Sequence, residues 1–369
     1  THIVLITKHH DGFCLWPSKF TDYSVANSGN TTDVVKDVSD ACRKHGVHFA
    51  IYYSVWDRNW DRRHAADYAK DRAATNKDYT DYMVNQLDEL LTRYGPAVEL
   101  WLDGQWAKNQ PEWDFPRVYD AVKRRQPACQ MAVNHSICLP GRTPSRESWA
   151  AYAKPWDQKE GYPIASFPSD FRLWDPYPPG ANDPKVFSHD GQMFYMPFES
   201  TVCMNKDWFW HAADQALKSA DELEALYLQA TGQHNLLLLN CPPNTNGHMR
   251  PDNVQRLVDL RERLGLKIGG PFPENVSVGA TASASSTWTP QSGYEPPKAV
   301  DEDPNSRWAS ETNVCELTQT FAAPRRVNRV LLREYLEVGK GRIGKFIIEA
   351  QVNGQWEALV DGKDVGVSK

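Results

Sequence analysis

The first candidate for a catalytic group in this sequence is Asp103, a carboxylate at the end of a predicted strand. Aliphatic and other residues alternate across positions 98–104, at the two-residue period of a β-strand. Trp101 lies on the same face as Asp103, and Gly104 ends the strand. In a barrel of parallel strands the active site forms at the carboxyl ends of the strands. The alternative is an ordinary strand-ending aspartate that caps a turn.

Two adjacent histidines follow the first apolar stretch, in the motif Lys-His-His-Asp-Gly-Phe at positions 8–13. Adjacent side chains on a strand point to opposite faces, so we do not expect His9 and His10 to ligate one metal ion together. We predict instead that they form hydrogen bonds at the mouth of a pocket. The alternative is one buried histidine bound to the backbone and one exposed histidine. Tyr53 and Trp56 lie at the end of the next predicted strand.

The elements that position these residues alternate along the first two thirds of the chain. Apolar runs predict strands at 2–8, 47–54, 98–103, 129–134, 193–198 and 235–240. Apolar residues at helical spacing predict helices at 33–45, 77–94, 115–125, 214–230 and 252–264. This alternation is typical of a parallel α/β fold of barrel type. Between positions 138 and 197 it fails, and loops of that length are usually functional.

The composition changes at the Gly- and Pro-rich segment 269–273. We therefore predict a barrel domain at 1–268 and an all-β module at 274–369, with strands at 276–286, 329–334 and 345–352. The chain begins inside a predicted strand, and its second module ends without a closing strand. We expect both ends to be truncated.

The totals exclude several classes of protein. A net charge of -6 over 369 residues does not favour nucleic acid or an anionic membrane surface as a partner. The 7 cysteines include no Cys-x-x-Cys pair, which predicts free and mostly buried thiols. Without a Gly-rich phosphate loop or metal-ligand spacing, we predict no cofactor and no metal. No apolar run reaches the length of a membrane span.

Four motifs occur in one order: Lys-His-His-Asp-Gly-Phe at 8–13, Tyr-Tyr-Ser at 52–54, Leu-Trp-Leu-Asp-Gly at 100–104, and Gly-Gln-His-Asn-Leu-Leu-Leu-Leu-Asn-Cys-Pro-Pro at 232–243. This series resembles the α-L-fucosidases of glycoside hydrolase family 29, over roughly residues 1–265. The resemblance implies a TIM-like (β/α) barrel that lacks its first strand in this chain.

The second module resembles a discoidin-type, galactose-binding-like sugar-binding domain over residues 275–350. The residues that carry this resemblance are Ala299-Val300-Asp301, Ser306–Ser310 and Leu332–Glu334. It implies a β-sandwich that binds carbohydrate.

The resemblance to the fucosidases also implies site residues. A retaining glycosidase places two carboxyl groups about 5–5.5 Å apart across the glycosidic bond. By resemblance Asp103 is the nucleophile, and the end of a rigid strand suits that role. The implied substrate-binding residues, which would bond the hydroxyls of fucose or pack against its ring, are His9, His10, Tyr53, Trp56 and Trp101.

The acid/base residue has three candidates, because the family places it in a variable loop after the next strand. Glu160 is the first choice, since it lies in that loop beside an aromatic residue, Tyr162. Glu199 is the second choice, because it ends a predicted strand where the family commonly has a glutamate. Glu147 lies in a Ser- and Arg-rich segment, where it could simply start a helix.

The sequence therefore predicts a retaining exo-α-L-fucosidase that acts on fucosylated oligosaccharides or glycoconjugates and is secreted or periplasmic. One alternative is a catalytically inactive barrel that binds fucose as a lectin, with binding but no turnover. Another is a metal-dependent hydrolase that uses His9, His10 and Asp103, whose activity would be sensitive to chelators. Linkage preference and oligomeric state are not predicted.

Overall fold

The computed structural model describes residues 2–109, 112–180, 182–213, 216–266, 276–301, 306–325, 327, 330, 332, 334, 342–352 and 354–363. The chain divides into two compact units, Thr1–Phe272 and Pro273–Lys369. No helix in the described part of the chain is both long and apolar enough to cross a membrane.

Strands and helices alternate in the first half of the first unit. They are β1 (His2–Lys8), α1 (Val34–His45), β2 (His48–Ser54), α2 (Arg58–Arg63), α3 (Ala65–Lys70), α4 (Arg72–Arg93), β3 (Glu99–Asp103), α5 (Phe115–Arg125) and β4 (Gln130–Val133). The four strands pair in this order and all run parallel. This pattern confirms the predicted α/β class.

The second half of this unit contains a second parallel sheet. Its elements are β5 (Arg172–Trp174), β6 (Val186–His189), β7 (Gln192–Tyr195), β8 (Phe198–Cys203), α6 (Ala220–Thr231), β9 (Leu236–Asn240) and α7 (Pro251–Arg263). Strands β5, β8 and β9 pair in parallel, whereas β6 and β7 form an antiparallel hairpin. A parallel bridge between Asn134 and Leu173 joins β5 to the end of β4.

Seven strands of the described residues therefore follow one another in parallel, in the order β1-β2-β3-β4-β5-β8-β9. Closure of these strands into a barrel stays a prediction. The single strand predicted at 193–198 is wrong, because β7 ends at Tyr195 and β8 begins only at Phe198. The helix predicted from 214 begins at Ala220, where Ser219 and Glu222 form a capping box.

The side chains on the two faces of β3 pack into different clusters, as the alternation predicts. Leu100 and Leu102 are fully buried in the main apolar cluster, which includes Leu90 of α4 and Val122 of α5. Trp101 belongs to another cluster, on the face that Asp103 shares. The helices therefore cover one face of the sheet, and the candidate catalytic side chain lies on the other.

A fully buried lysine, Lys8, ends β1. Its Nζ lies 3.1 Å from Asp57 Oδ2, 2.9 Å from the Tyr53 hydroxyl and 3.3 Å from Gln86 Oε1. Burial alone would lower the pKa of Lys8, but the electrostatic effects of Tyr79 and Asp57 outweigh it, and the pKa is raised. The charged lysine thus ties β1 to the start of α2 and to α4.

We expect Lys8→Met to lower the free energy of unfolding by about 3–5 kcal/mol, because Asp57 is left buried without its cation. Methionine keeps the length and apolar volume of the side chain. The matched control is Lys36→Met, since Lys36 pairs with Asp40 at the surface, where an ion pair contributes little. Denaturant unfolding of both variants measures the difference, and equal effects would contradict a stabilising role for the buried pair.

The described residues of the second unit contain two antiparallel pairs. Strand β10 (Thr281–Ala284) pairs with β11 (Leu317–Thr320), and β12 (Phe346–Val352) pairs with β13 (Gln355–Gly362). β10 and β12 fall inside the strands predicted at 276–286 and 345–352. Of the strand predicted at 329–334, residues 329, 331 and 333 lie outside the described residues, and residues 330, 332 and 334 are not part of a strand. A discoidin-type sandwich stays a prediction.

Candidate active site

Asp103 is the last residue of β3, and its carboxylate is held on both sides by donors from neighbouring strands. Only 6% of the residue is exposed. The Tyr52 hydroxyl, from β2, donates a 2.5 Å hydrogen bond to Oδ2. Asn134, directly after β4, donates from Nδ2 to Oδ1 at 3.1 Å. The carboxylate orientation is therefore fixed before any ligand binds.

A second carboxylate, which the sequence did not reveal, lies beside the first. Asp175 follows β5, and its Oδ2 accepts a 3.1 Å hydrogen bond from the same Nδ2 of Asn134. His135 Nε2 lies 3.7 Å from Oδ1 of Asp175, while its Nδ1 accepts from Gln105 at 3.1 Å. Because Nδ1 accepts from the Gln105 amide, the ring proton lies on Nε2, facing Asp175. The Asp175 side chain is 25% exposed, so it is open to solvent whereas Asp103 is not.

Opposing effects act on the pKa of Asp103. Burial raises it, and repulsion from Asp175 raises it further, while the hydrogen bonds from Tyr52 and Asn134 lower it. Burial and the charge of Asp103 hold the pKa of Tyr52 well above its usual range, so the Tyr52 hydroxyl stays a neutral donor. The pKa of Asp103 is raised overall, so the hydrogen bonds from Tyr52 and Asn134 are what favour its ionised form.

His10 offers an acceptor next to Asp103. Its Nδ1 lies 2.7 Å from the Ser54 hydroxyl, which itself donates to the carbonyl of Trp56 at 2.6 Å. Ser54 must therefore accept from Nδ1–H. Burial, followed by the charge of Arg58, lowers the pKa of His10 to about 4. At neutral pH Nε2, 3.6 Å from Asp103 Oδ2, is unprotonated and can accept a hydrogen bond from a ligand hydroxyl.

His9 belongs to a column of aromatic rings that leads from the sheet to the surface. Trp101 stacks on Tyr52 with ring centroids 5.1 Å apart, and Tyr52 stacks on His9 at 5.5 Å. His9 in turn contacts the half-exposed Phe209 edge-on at 5.4 Å. His9 therefore lies between the buried rings and the solvent, on the Asp103 side of the sheet.

The expectation that His9 and His10 point to opposite faces is wrong, because their ring centroids are 4.2 Å apart. Strand β1 ends at Lys8, and Gly12 N–H donates to the His9 carbonyl in a turn. Gly12 has φ 88°, and a Cβ there would lie 2.2 Å from Oδ1 of Asp57. The glycine of the motif thus permits the turn that brings both rings to one side.

Two of the predicted substrate-binding residues do not reach the site. Tyr53 is fully buried on the other face of β2, and its hydroxyl donates to Gln86 at 2.7 Å. The hydroxyl at Asp103 belongs instead to Tyr52, one residue earlier and so on the opposite face. Trp101 is buried beneath Tyr52 and supports that ring. Trp56 lies beside His10, with ring centroids 5.2 Å apart.

The three glutamates considered as acid/base lie elsewhere. Glu199 is the second residue of β8, fully buried, and accepts a 3.0 Å hydrogen bond from Trp101 Nε1. It lies deep in the sheet, on the far side of Trp101 from Asp103. Glu160 and Glu147 are exposed in turns, and among the described residues neither forms a hydrogen bond or an ion pair with Asp103. The carboxyl group that the structure brings to Asp103 is that of Asp175.

Relative to wild type, the Glu199→Gln variant should become the more stable protein as the pH rises above about 4.3, the usual pKa of a glutamate in an unfolded chain. Burial and the charge of Glu99 raise the pKa of Glu199 well above its usual range, and burial raises the pKa of Glu99 to about 7. Such groups bind protons more tightly in the folded state, so their stabilisation is complete at low pH and is lost as pH rises through the folded pKa.

Thermal unfolding at pH 4 and pH 8 measures this effect: the variant should be more stable than wild type at pH 8 and no more stable than wild type at pH 4. The exposed Glu160→Gln is the matched control and should change neither value. A Glu199→Gln protein that is less stable than wild type at pH 8 would show that Glu199 is charged and paired in the folded state.

Within the part of the chain that the structure describes, two sets of three side chains bring possible metal-ligand atoms within 4.8 Å of one another. They are His9, His10 and Asp103, and His2, Glu99 and Glu199. In the first set His10 Nε2 is an available acceptor, but both oxygens of Asp103 already accept hydrogen bonds from neutral donors. The absence of a metal stays a prediction, which activity after treatment with a chelator tests.

Known proteins that resemble this chain in sequence or in structure are α-L-fucosidases and related glycoside hydrolases. The α-L-fucosidase family model matches residues 1–265. Alpha-L-fucosidase 1 of Arabidopsis thaliana is 31% identical over 379 aligned positions, which cover 99% of this chain and 69% of that protein. A solved glycoside hydrolase 29 family member from an unknown rumen bacterium has 25% identity and a TM-score of 0.55, covering 100% of this chain and 60% of that one.

A solved family 29 fucosidase of Ruminococcus gnavus in complex with fucose has 22% identity and a TM-score of 0.52, covering 99% of this chain and 75% of that one, and so supports the fold. The family match and the curated relative together make this protein a glycoside hydrolase. The chain belongs to the α-L-fucosidase family. These comparisons give no support to the alternative of an inactive lectin.

Proposed function

We propose that the protein is a retaining exo-α-L-fucosidase that removes terminal α-L-fucose from glycans, with Asp103 as nucleophile and Asp175 as acid/base. The observation that carries this proposal is the shared amide of Asn134, whose Nδ2 lies 3.1 Å from an oxygen of each carboxylate. One donor within hydrogen-bond reach of both groups keeps them close together. Retaining glycosidases need a close pair, about 5–5.5 Å apart, because one carboxyl attacks the sugar directly.

In the first step the ionised Asp103 attacks the anomeric carbon, and the bond to the glycosidic oxygen breaks. The protonated Asp175 gives its proton to that oxygen, so the leaving group departs as an alcohol. The fucosyl group remains bound to Asp103 as an ester. In the second step Asp175 takes a proton from water, whose oxygen attacks the anomeric carbon and releases Asp103. The greater exposure of Asp175 supports this division, since the acid/base must meet both the leaving group and water.

Recognition of the sugar rests on the groups around Asp103. His10 Nε2 accepts from a hydroxyl of fucose, and His9, between Tyr52 and Phe209, lies within the same rim of the site. A site that pairs these hydroxyls discriminates against sugars that lack them, because its buried polar atoms would then be left without partners. Trp56 forms the wall beside His10.

The second unit is proposed to bind carbohydrate, and the protein to act outside the cytoplasm, where fucosylated glycans are exposed. Both proposals rest on the sequence resemblance and on the substrate class. Binding of a glycan array by the full chain, before and after removal of residues 274–369, tests the first of them.

The test of the proposed reaction is the release of fucose from an aryl α-L-fucoside, followed by proton NMR within the first minutes. Retention gives α-L-fucose as the first product, which then equilibrates with the β anomer. An initial β product would contradict the double displacement. Binding of fucose without any turnover would contradict the enzyme itself and favour a lectin.

Tyr52→Phe should move the acid limb of the kcat/KM profile to higher pH, because it removes a donor that stabilises ionised Asp103. At acidic pH the activity should fall about 10–100-fold, as expected for a lost hydrogen bond of about 1.5–3 kcal/mol to a charged group. Tyr53→Phe is the matched control, since that hydroxyl lies on the other face and should not move the limb. An unmoved limb in Tyr52→Phe would mean that ionisation of Asp103 does not limit the rate.

A further inference from the structure

A pair of tryptophans, Trp106 and Trp149, extends the site on one side and is called the aromatic shelf below. The Trp106 ring lies 5.5 Å from His10 and 5.9 Å from Trp149, measured between ring centroids. His135 contacts both tryptophans, at 5.3 Å and 4.7 Å. The shelf therefore runs without interruption from the residues around Asp103 to the surface.

Trp149 is held in place although half of it faces solvent. The residue is 50% exposed. Its ring packs edge-on against His135, and Lys154 Nζ lies 5.2 Å from its centroid. It begins a short 3-10 turn, in which Tyr152 N–H donates to the Trp149 carbonyl at 3.1 Å. An exposed indole that is fixed from behind offers a ready apolar surface, whose burial by a ligand requires little further ordering.

The shelf lies on the Asp175 side of the site. His135, which supports Trp149, directs its Nε2 at Asp175 over 3.7 Å. In the proposed reaction Asp175 protonates the glycosidic oxygen, so the group attached to fucose leaves on this side. Pyranose rings carry axial C–H groups that give them an apolar face, and that face fits an indole.

We propose that Trp149, with Trp106 behind it, binds the pyranose ring to which fucose is attached. The substrates are then fucosylated oligosaccharides, whose second sugar stacks on the shelf, rather than fucosides of arbitrary alcohols. This inference rests on the proposed function, because the leaving-group side is defined by Asp175 as the acid/base.

The test compares two substrates in wild type, Trp149→Ala and Trp149→Phe. One is a fucosylated trisaccharide, and the other is α-L-fucosyl fluoride, which has no second ring. We expect Trp149→Ala to lower kcat/KM for the trisaccharide about tenfold, mostly through KM, and to change kcat/KM for the fluoride less than twofold. Trp149→Phe keeps an aromatic face and should recover most of the loss.

Trp156→Ala is the matched control, because Trp156 is a similarly exposed indole that contacts Tyr177 instead of the shelf. It should leave the ratio of the two substrates unchanged. Equal losses on both substrates in Trp149→Ala, no loss on either, or the same selective loss in Trp156→Ala would each overturn the shelf while leaving the fucosidase proposal intact. A wild-type protein that hydrolyses neither substrate would overturn the proposed function and the shelf with it.

Discussion

Asp103→Gly should lower fucose release from an aryl α-L-fucoside by at least about a thousandfold, and azide should restore part of the activity. Without the carboxylate no covalent intermediate forms, and removal of a nucleophile typically costs several orders of magnitude. Azide fits the space that the side chain leaves and attacks from the same side as Asp103. The product should therefore be β-L-fucosyl azide, with the configuration inverted.

The product distinguishes this explanation from a damaged fold. Asp103 is buried beside another carboxyl group, and its loss removes a repulsion, so we expect thermal unfolding of Asp103→Gly to stay close to that of wild type. A folded variant with nearly full activity would show that another group is the nucleophile. A folded, inactive variant that gives no azide product would leave Asp103 with a binding role only.

The loss of activity in Asp175→Ala should depend on the leaving group. For natural glycosides, whose alcohol leaves poorly without a proton, we expect a decrease of about 10²–10⁴-fold. For α-L-fucosyl fluoride, which needs no proton, formation of the intermediate should be nearly unaffected. Azide should then accelerate turnover, because it attacks the fucosyl ester without a base. The product should be α-L-fucosyl azide, with the configuration retained.

The glutamates named from the sequence provide the controls for this experiment. Glu160→Ala and Glu147→Ala, both at exposed turns, and Glu199→Gln should keep most of the activity on the oligosaccharide. Leaving-group dependence and azide acceleration in Glu160→Ala or Glu147→Ala, with none in Asp175→Ala, would transfer the acid/base role to that glutamate. It would also require a loop movement that brings this glutamate to Asp103.

Asp103 could be predicted because its signal is local. The alternation across β3 determines which residues face the helices, and the face and the strand end follow from it. Tyr52 and Tyr53 show that a difference of one position along a strand decides whether a side chain reaches the site. The two side chains differ only in which face of β2 they occupy, and only the one in register with Trp101 reaches Asp103.

Asp175 could not be predicted, because β5 has only three residues and one of them is Arg172, which a sequence pattern assigns to the surface. In the structure Arg172 is fully buried and forms bonds of 2.9 and 2.7 Å with the two oxygens of Asp183. That partner lies in the following loop, and only the folded chain brings the two together. Burial of the ion pair conceals a strand from any argument based on hydrophobic alternation.

The position of Glu199 in the sheet is predicted wrongly because the strand boundary is predicted wrongly. The sequence indicates a strand at 193–198, which would put Glu199 at a carboxyl end, among catalytic groups. In the structure β8 begins at Phe198, so Glu199 lies at the amino end of a strand and deep in the sheet. The predicted and observed strands differ by only a few residues, but this difference places the carboxyl group in the interior instead of at the active-site edge.

The most direct test of Asp103 as the nucleophile is to label the protein with 2-deoxy-2-fluoro-α-L-fucosyl fluoride. The fluorine at C2 slows both steps, and the fluoride leaving group allows the ester to form and accumulate. The assignment of Asp103 as nucleophile predicts a mass increase of one fluorodeoxyfucosyl group per chain, located by peptide sequencing on Asp103, both in wild type and in Asp175→Ala. Labelling of Asp175 or of any glutamate, or no labelling of a protein that still hydrolyses fucosyl fluoride, would contradict it.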